Sequence, residues 1–342
     1  MVYEAENITE DEAALYDRQI RLWGLDAQKR LRAASVLLIG LKGLGAEIAK
    51  NIVLSGVKSV TLMDHSTVTE EDASAQFLVS RDDVGKNRAE SSKENAQKLN
   101  PMVTVSVDTD KVADKPDEFF TKFRVICATC CSKETLLRLN NLTRRHDMKF
   151  LAGDVYGYYG FSFTDFIQHE YAEEITKMKN DDSKGDENNE PPAKKKKTTE
   201  TTVVRKEMEF SSLQDSLHID WTGDKYKNEL KRTPKGYFIT QVMMAFLEKF
   251  GHLPNSKTHL EDKKQLLNIR SEVLNALKVD SDILTEDFIQ HCIGELSPVC
   301  AVVGGIMGQE VIKAVSHKDA PLRNFFFFDG TEGCGLVDNI GG

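Results

Sequence analysis

Short apolar runs alternate with stretches of helical spacing along most of the chain. The clearest case begins with an apolar run at residues 36–39, continues with helically spaced apolar residues at 46–54, and ends with a second apolar run at 60–63. Unbroken apolar runs of this length are typical of strands that are buried on both faces of a parallel sheet. The pattern therefore predicts a strand, a helix and a second strand in succession.

The same alternation predicts elements on either side of this unit. Thr9 and Glu12 form a capping-box pattern that opens a helix directed toward Gly24, and a short helix at 26–31 precedes the first strand. Further strands are predicted at 103–107, 123–128, 149–153, 154–166, 203–210 and 325–328. Further helices are predicted at 84–99, 134–147, 236–250, 264–277 and 296–315. This order favours an α/β fold with a doubly wound sheet.

A polar segment interrupts the alternation. From 180 to 202 the only apolar residue is Ala193, and such a composition is typical of disorder because it offers too little apolar surface to bury. We therefore predict N-terminal helices at 1–34, a single domain built from 35–175 and 203–342, and a disordered insert of basic and acidic residues at 176–202.

Four consecutive lysines, Lys194 to Lys197, lie within this insert. A short lysine run in an exposed segment is a pattern of nuclear import signals, and it is equally compatible with a solvated loop. On the first interpretation the protein is expected in the nucleus.

Composition narrows the function classes. The chain has 342 residues and a net charge of −9, which argues against nucleic acid as a partner of the whole chain. It contains no run of about 18 apolar residues, so no membrane segment is expected. The acidic N-terminus lacks the apolar core of a secretory signal, and the six cysteines are therefore expected to be reduced thiols in the cytosol or nucleus.

The turn after the first strand is a candidate nucleotide site. It reads G-L-K-G-L-G and contains Gly40, Gly43 and Gly45, and Asp64 follows the next strand. Glycines let a backbone approach phosphates, a helix N-terminus attracts anions, and an acid at this position accepts ribose hydroxyls. The turn departs from the dinucleotide pattern G-x-G-x-x-G, and a strand–helix–strand crossover that binds nothing is the alternative.

The cysteines offer a second candidate chemistry. Cys127 and Cys130 have the C-x-x-C spacing of redox or zinc sites. A structural zinc needs four ligands, and no second C-x-x-C is present, since Cys292 and Cys300 lie eight positions apart on what the pattern predicts to be apolar helices. We therefore interpret all six cysteines as structural and expect no metal site.

Several motifs together resemble the ubiquitin-activating superfamily. They are Y-D-R-Q-I-R-L-W-G at 16–24, the turn at 40–45, V-G-K-N-R-A at 84–89, N-P at 100–101, P-V-C-A-V-V-G-G at 298–305 and Q-E-V-I-K at 309–313. The resemblance implies a Rossmann-like sheet of the ubiquitin-activating/ThiF adenylation type, shared with bacterial molybdopterin and thiamine sulfur-carrier adenylyltransferases. Within the superfamily, the chain is most similar to the smaller subunits of heterodimeric enzymes that activate the modifier SUMO.

The chain departs from the superfamily at positions that contact the nucleotide. Active members carry D-x-D after the second strand and then S-N-L-N-R-Q-F, whereas here Ser66 replaces the second acid and Ala75 replaces the arginine. Arg88 stands at the usual lysine, and Thr129-Cys130-Cys131 aligns with the magnesium-binding L-D-N. Because nucleotidyl transfer depends on such charges, the chain's own nucleotide site is expected to be degenerate.

The resemblance also implies that two subunits have different roles in the reaction. The larger partner is expected to bind ATP and magnesium, to adenylate the C-terminal glycine of SUMO, and to take it as a thioester. This chain is expected to bind no cofactor itself and to supply Arg18 in trans to the partner's ATP site, with Arg21 as a second candidate. An arginine suits this role because its planar, permanently charged group grips phosphate oxygens.

Three alternatives remain open from the sequence. The partner complex could activate another ubiquitin-like modifier. The chain could be a self-sufficient homodimeric adenylyltransferase, which the losses at Ser66 and Ala75 argue against. It could also be an NAD-dependent oxidoreductase that uses the turn at 40–45, against which stand the missing G-x-G-x-x-G and the Y-D-R-Q helix.

Overall fold

One mixed eight-stranded sheet organises the computed structural model, which describes residues 9–179 and 198–342. Its strands are β1 Ser35–Ile39, β2 Ser59–Met63, β3 Thr104–Asp108, β4 Val125–Ala128, β5 Lys149–Tyr156, β6 Tyr159–Asp165, β9 Phe325–Asp329 and β10 Cys334–Asp338. The strand order is β10-β9-β6-β5-β4-β1-β2-β3. Neighbours from β5 to β3 run parallel, and β6, β9 and β10 extend the sheet in antiparallel fashion. The predicted α/β sheet is confirmed.

Helices cover both faces of the sheet in the described part of the chain. They are α1 Glu10–Leu15, α2 Asp17–Trp23, α3 Leu25–Arg32, α4 Gly43–Ser55, α5 Glu70–Ala75, α6 Arg88–Leu99, α7 Asp117–Phe120, α8 Lys133–Arg145, α9 Leu213–Leu217, α10 Asp224–Leu230, α11 Lys235–Phe250, α12 His259–Leu277 and α13 Ser297–Ser316. Single 3₁₀ turns occur at Arg81–Asp83, Val112–Asp114, Ser281–Ile283 and Glu286–Gln290.

The core divides at the sheet because side chains alternate along each strand. On β1, Leu37 and Ile39 join an apolar cluster that includes α8 and α11, whereas Val36 and Leu38 join a second cluster that includes α4 and α13. All four are at most 3% exposed. The apolar run therefore fills two cores at once, as expected for a central parallel strand.

Three predicted helices differ clearly in their bounds, and one of them, predicted at 264–277, begins instead at His259. The predicted capping box at Thr9 and Glu12 is present, but the helix it opens ends before Tyr16, whose buried hydroxyl accepts a hydrogen bond from Asn100 Nδ2 at 2.9 Å. The helix predicted to begin at 84 begins instead at Arg88. Gly85 has a φ of +88°, which is incompatible with a continuous α-helix.

Elements β7 Gln168–Lys179 and β8 Thr198–Glu209 form a separate antiparallel hairpin. Its ladder includes residues 176–179 and 198–202, which differs from the disorder predicted there. Main-chain pairing needs no apolar side chain, so a polar composition did not reveal it. The rest of the predicted insert, including Lys194 to Lys197, lies outside the described residues.

The long apolar helix α13 packs closely on α4. An ideal Cβ built on Gly304 would lie 2.6 Å from Glu47 Cβ, and one built on Gly308 would lie 2.5 Å from Asn51 Cβ. By length and composition α13 could cross a membrane, but 67% of its apolar window is buried inside the structure. Its apolar character therefore fits a core helix, and glycine is required where the two helices touch.

We expect opposite effects of alanine at two adjacent glycines of α13. Gly304→Ala should lower the free energy of unfolding by about 1–3 kcal/mol because the new methyl group overlaps α4. Gly305→Ala should raise it by up to about 1 kcal/mol, since no atom lies within 4 Å of an ideal Cβ built on Gly305 and alanine favours a helix. Urea unfolding of the isolated chain measures both, and equal effects of the two substitutions would contradict the packing described.

The base of the hairpin meets the end of α13 through two stacked histidines. The rings of His169 and His317 lie 4.8 Å apart at 15° to each other, and His169 is fully buried. Burial lowers the pKa of His169 to about 3, and the nearby charges of His317, Lys149 and Arg124 act in the same direction. The neutral ring is therefore the folded form.

This lowered pKa predicts a loss of stability in mild acid. In the unfolded chain this imidazole binds a proton near its ordinary pKa. The contribution of His169 to the free energy of unfolding is therefore fully present above about pH 6.5 and is lost as the pH drops toward 3. Between pH 7 and 5 the loss from His169 should be about 2 kcal/mol. We expect His169→Phe to remove this part of the pH dependence in urea unfolding; identical pH profiles for the two proteins would contradict it.

Candidate functional site

The glycine turn lies between β1 and the N-terminus of α4. Gly40 has a φ of +85°, and a Cβ there would lie 2.4 Å from Thr129 Oγ1. A Cβ on Gly45 would lie 1.9 Å from the carbonyl oxygen of Gly40. Two of the three predicted glycines are therefore required for the turn itself, whether or not it contacts a nucleotide.

Asp64 lies at the end of β2 beside this turn, as predicted, and its carboxylate already accepts three hydrogen bonds from within the chain. Oδ2 accepts hydrogen bonds from the Leu41 amide and from Arg88 Nη1, both at 2.9 Å, and Oδ1 accepts one from the Ser66 amide at 2.9 Å. Asp64 is 6% exposed. Three of its roughly four acceptor positions are therefore used within the chain.

Arg88 occupies the space beside Asp64 and joins it to a second acid. Its Nε and Nη2 donate to Asp72 Oδ2 at 3.1 and 2.9 Å, and Nη2 also donates to the Thr67 carbonyl at 3.2 Å. Asp72 lies in the first turn of α5 and accepts from the amide and hydroxyl of Thr69. All three charged groups are buried, so the arginine serves the fold internally and is not free to bind phosphate.

A further acid reaches the turn from the far end of the chain. Glu295, two residues before α13, places Oε2 3.4 Å from the Leu44 amide and 2.8 Å from an ideal Cβ on Gly43. The thiol of Cys300 points to the same oxygen, with an S···O distance of 3.7 Å. The N-terminus of α4, the expected phosphate position, therefore faces a carboxylate of the same chain.

Glu295 belongs to a group of titratable side chains, of which Asp154 is buried and Cys130 and Glu295 are partly buried. Ligand atoms of Cys130, Asp154 and Glu295 lie within 4.8 Å of one another. Burial raises the pKa of Asp154 to about 7, with a smaller contribution from Glu295, and burial also raises the pKa values of Glu295 and Cys130. Burial acts to lower the pKa of Lys42, but the surrounding Cys130, Glu295 and Asp154 raise it overall. Lys42 thus already supplies this group of side chains with a positive charge.

The cysteines are all unpaired, and the described residues bring no four of them together. Burial raises the pKa values of Cys127 and Cys131, so these thiols are not activated nucleophiles. The sequence pattern predicted that Cys292 lies on a helix, and this prediction is wrong. Cys292 follows the 3₁₀ turn Glu286–Gln290, where its thiol donates to the Ile289 carbonyl.

The arginine candidates lie on a different surface. Arg18 and Arg21 are both exposed on α2, and Arg21 Nε pairs with Asp17 Oδ1 at 3.1 Å. Arg18 makes no ion pair with any residue in the described ranges. The structure thus separates the two: Arg21 has an intrachain partner on its own helix, and Arg18 extends into solvent.

Exposed apolar residues lie on this helix and on elements connected to it through α4. Leu22 is 73% exposed, Leu54 44%, Phe77 46% and Val302 41%. Gln19 joins α2 to α4 through the Leu54 carbonyl at 3.0 Å, and Lys50 of α4 lies 5.6 Å from the Phe77 ring. We refer to Arg18, Leu22, Leu54, Phe77 and Val302 together as the α2–α4–α13 surface. Several large apolar side chains gathered on one surface favour a protein interface.

Comparison with known proteins gives the family. A family model described as the ThiF family matches residues 16–336. SUMO-activating enzyme subunit 1 of Bos taurus is 50% identical over 98% of this chain and 96% of its own length. The proteins of the same name from Xenopus laevis and Danio rerio are each 51% identical, over 98% and 97% of this chain and 97% and 95% of their own lengths.

The chain belongs to the ThiF family and, within it, to the SUMO-activating enzyme subunit 1 family. Among solved structures, Escherichia coli MccB crystallised with succinimide has a TM-score of 0.53 at 14% identity, covering 95% of this chain and 71% of that one. This likeness supports the fold alone. The predicted resemblance and fold class are thus confirmed for this member of the family.

Sequence reasoning missed three acids of the site. Asp72 is marked only by the polar capping pattern that follows Thr69, and Asp154 reads as part of a strand. Glu295 stands just before Ser297 and Pro298, at the start of a helix that the pattern did predict. None of the three signals indicates which elements meet, and so the sequence did not connect these acids to the glycine turn.

The buried arginine gives a direct test of this arrangement. Arg88→Ala should lower the free energy of unfolding by about 3–5 kcal/mol because it leaves two buried carboxylates without a cation. Arg21→Ala, which removes an exposed pair, should cost less than about 1 kcal/mol. Urea unfolding of the isolated chain gives both values, and a small cost for Arg88→Ala would refute a buried three-group network.

Proposed function

We propose that this chain is the non-catalytic subunit of a heterodimeric SUMO-activating enzyme. The observation that carries the proposal is identity of about one half, over nearly the full length, to proteins named SUMO-activating enzyme subunit 1. The partner is a larger catalytic subunit that binds ATP and magnesium and activates SUMO. Family membership leaves the oxidoreductase alternative without support.

The state of the glycine turn supports the non-catalytic part of this proposal. Asp64 and Arg88 neutralise each other, Glu295 faces the α4 N-terminus, and Ser66 supplies no second carboxylate. Adenylation requires cations placed around phosphates, because the chemistry is mostly stabilisation of phosphate charge. Here the internal acids already engage the cations that would serve that purpose.

The α2–α4–α13 surface supports the heterodimer. It combines exposed apolar side chains with an arginine that has no partner among the described residues, as expected where a subunit both docks and contributes a charge. In the complex, the Arg18 guanidinium would meet phosphate oxygens in the site of the larger subunit and stabilise charge on the departing pyrophosphate. Arg21 lies three residues on and would contribute less, because Asp17 already pairs with it.

Two features of the proposal depend on the sequence. SUMO is proposed over other ubiquitin-like modifiers because the relatives that cover nearly the whole chain carry that name. Nuclear localisation is proposed from Lys194 to Lys197 and stays a prediction.

The isolated chain should be inactive. Purified without the larger subunit, it should show no SUMO-dependent exchange of pyrophosphate into ATP, since Asp64 and Asp72 hold Arg88 and Glu295 faces the α4 N-terminus. Adding the larger subunit should restore exchange. Robust exchange by the chain alone, at a level that scales with its concentration and is free of the partner by mass spectrometry, would overturn the non-catalytic assignment.

Arg18→Ala should reduce exchange by the reconstituted heterodimer by on the order of 10²-fold, by analogy with other arginines supplied in trans. Gel filtration should show an intact heterodimer, because one exposed side chain adds little to a large interface. Arg21→Ala should have a smaller effect. Arg145→Ala on α8, which removes an exposed ion pair with Asp117 of α7, should have none. Wild-type exchange by an intact Arg18→Ala heterodimer would refute the role.

A further inference from the structure

We propose that Glu295 occupies the phosphate position of this chain's own glycine turn, so that the turn is closed to anions by an internal carboxylate. The inference concerns the isolated chain and stands independently of the partner's catalytic role. It attributes the loss of nucleotide binding that we expect of this chain to a group that fills the site as well as to the groups that are missing from it.

The first argument is geometric. The N-terminus of a helix offers unpaired amides, and together with the helix dipole these favour an anion. α4 begins at Gly43 with Lys42 as its N-cap, and Lys42 makes no side-chain capping bond. Glu295 Oε2 is the side-chain oxygen that approaches this end, 3.4 Å from the Leu44 amide. A bound phosphate would need the same amides.

The second argument is steric. The Gly43 position has no room for a side chain because an ideal Cβ would lie 2.8 Å from Glu295 Oε2 and 2.9 Å from Cys300 Sγ. The carboxylate therefore rests against the backbone where a phosphate would approach it. Oε1 of Glu295 is buried and has no hydrogen-bond partner within the described ranges. One oxygen is thus withdrawn from solvent, and the other contacts the turn.

The third argument is electrostatic. The groups that face the turn are the cations Lys42 and Arg88 and the acids Asp64, Asp72, Asp154 and Glu295, with the Cys130 thiol beside them. Arg88 is already paired twice, which leaves Lys42 to balance Glu295 and Asp154. A pyrophosphate group would add further negative charge beside Glu295. Removing that carboxylate should therefore both free the amides and relieve repulsion.

The test uses the full-length chain, inorganic pyrophosphate without magnesium, and isothermal titration calorimetry. Glu295→Ala should bind pyrophosphate at least about tenfold more tightly than the wild type, which corresponds to a modest charge effect at a helix N-terminus. Glu47→Ala is the matched control. It removes a carboxylate from the same helix, one that pairs with Lys50 away from the turn, and it should bind like the wild type.

Two further variants keep the result decisive. Glu295→Gln preserves the shape of the side chain, and it too should bind more tightly than the wild type; this variant decides the matter if Glu295→Ala does not fold. Adding Lys42→Met to the variant that binds should abolish the gain, which would place the anion at the turn. Equal binding by wild type and both Glu295 variants, or a gain that persists without Lys42, would overturn the proposal.

Discussion

The buried contact between Arg88 and the two carboxylates of Asp64 and Asp72 is the interaction on which the surrounding structure depends. It joins the end of β2 to the first turn of α5 and the start of α6, two helices that have few apolar residues to hold them in place. Burying three charges is costly unless each has a partner, so the arrangement persists only as a complete set. The same contact removes from the solvent the acid and the cation that a nucleotide would otherwise meet.

The glycine turn illustrates how a fold can retain a binding architecture after its chemistry has changed. Gly40 and Gly45 remain necessary because the backbone of the turn touches Thr129 and itself, whatever is bound. At the α4 N-terminus, the favourable place for an anion persists because it arises from the helix itself. Glu295 satisfies it from within the chain. The α2–α4–α13 surface then remains exposed for contact with another protein, and Arg18 on it has no partner among the described residues.

Much of the fold was predictable from local pattern. The apolar run at 36–39 indicated a strand buried on both faces, and the structure divides its side chains between two cores. The capping box at Thr9 marked a helix start, yet no residue in the local pattern indicated the break at Tyr16, whose hydroxyl accepts a hydrogen bond from Asn100 far along the chain. The edge strand β10 was missed because C-G-L-V-D has no strong period, and its pairing with β9 is what makes it a strand.

The sequence by itself determined the family, the order of most strands and helices of the main sheet, and the absence of the second acid at position 66 and of the arginine at position 75. Those features depend on local residue types and on motifs. Only the tertiary structure decided what the remaining charged residues do. From its sequence context alone, Arg88 could have faced solvent. Glu295 approaches the amide of Leu44, although the two residues are 251 positions apart in the chain. Such contacts depend on which elements the sheet brings together, and no local pattern encodes that distance.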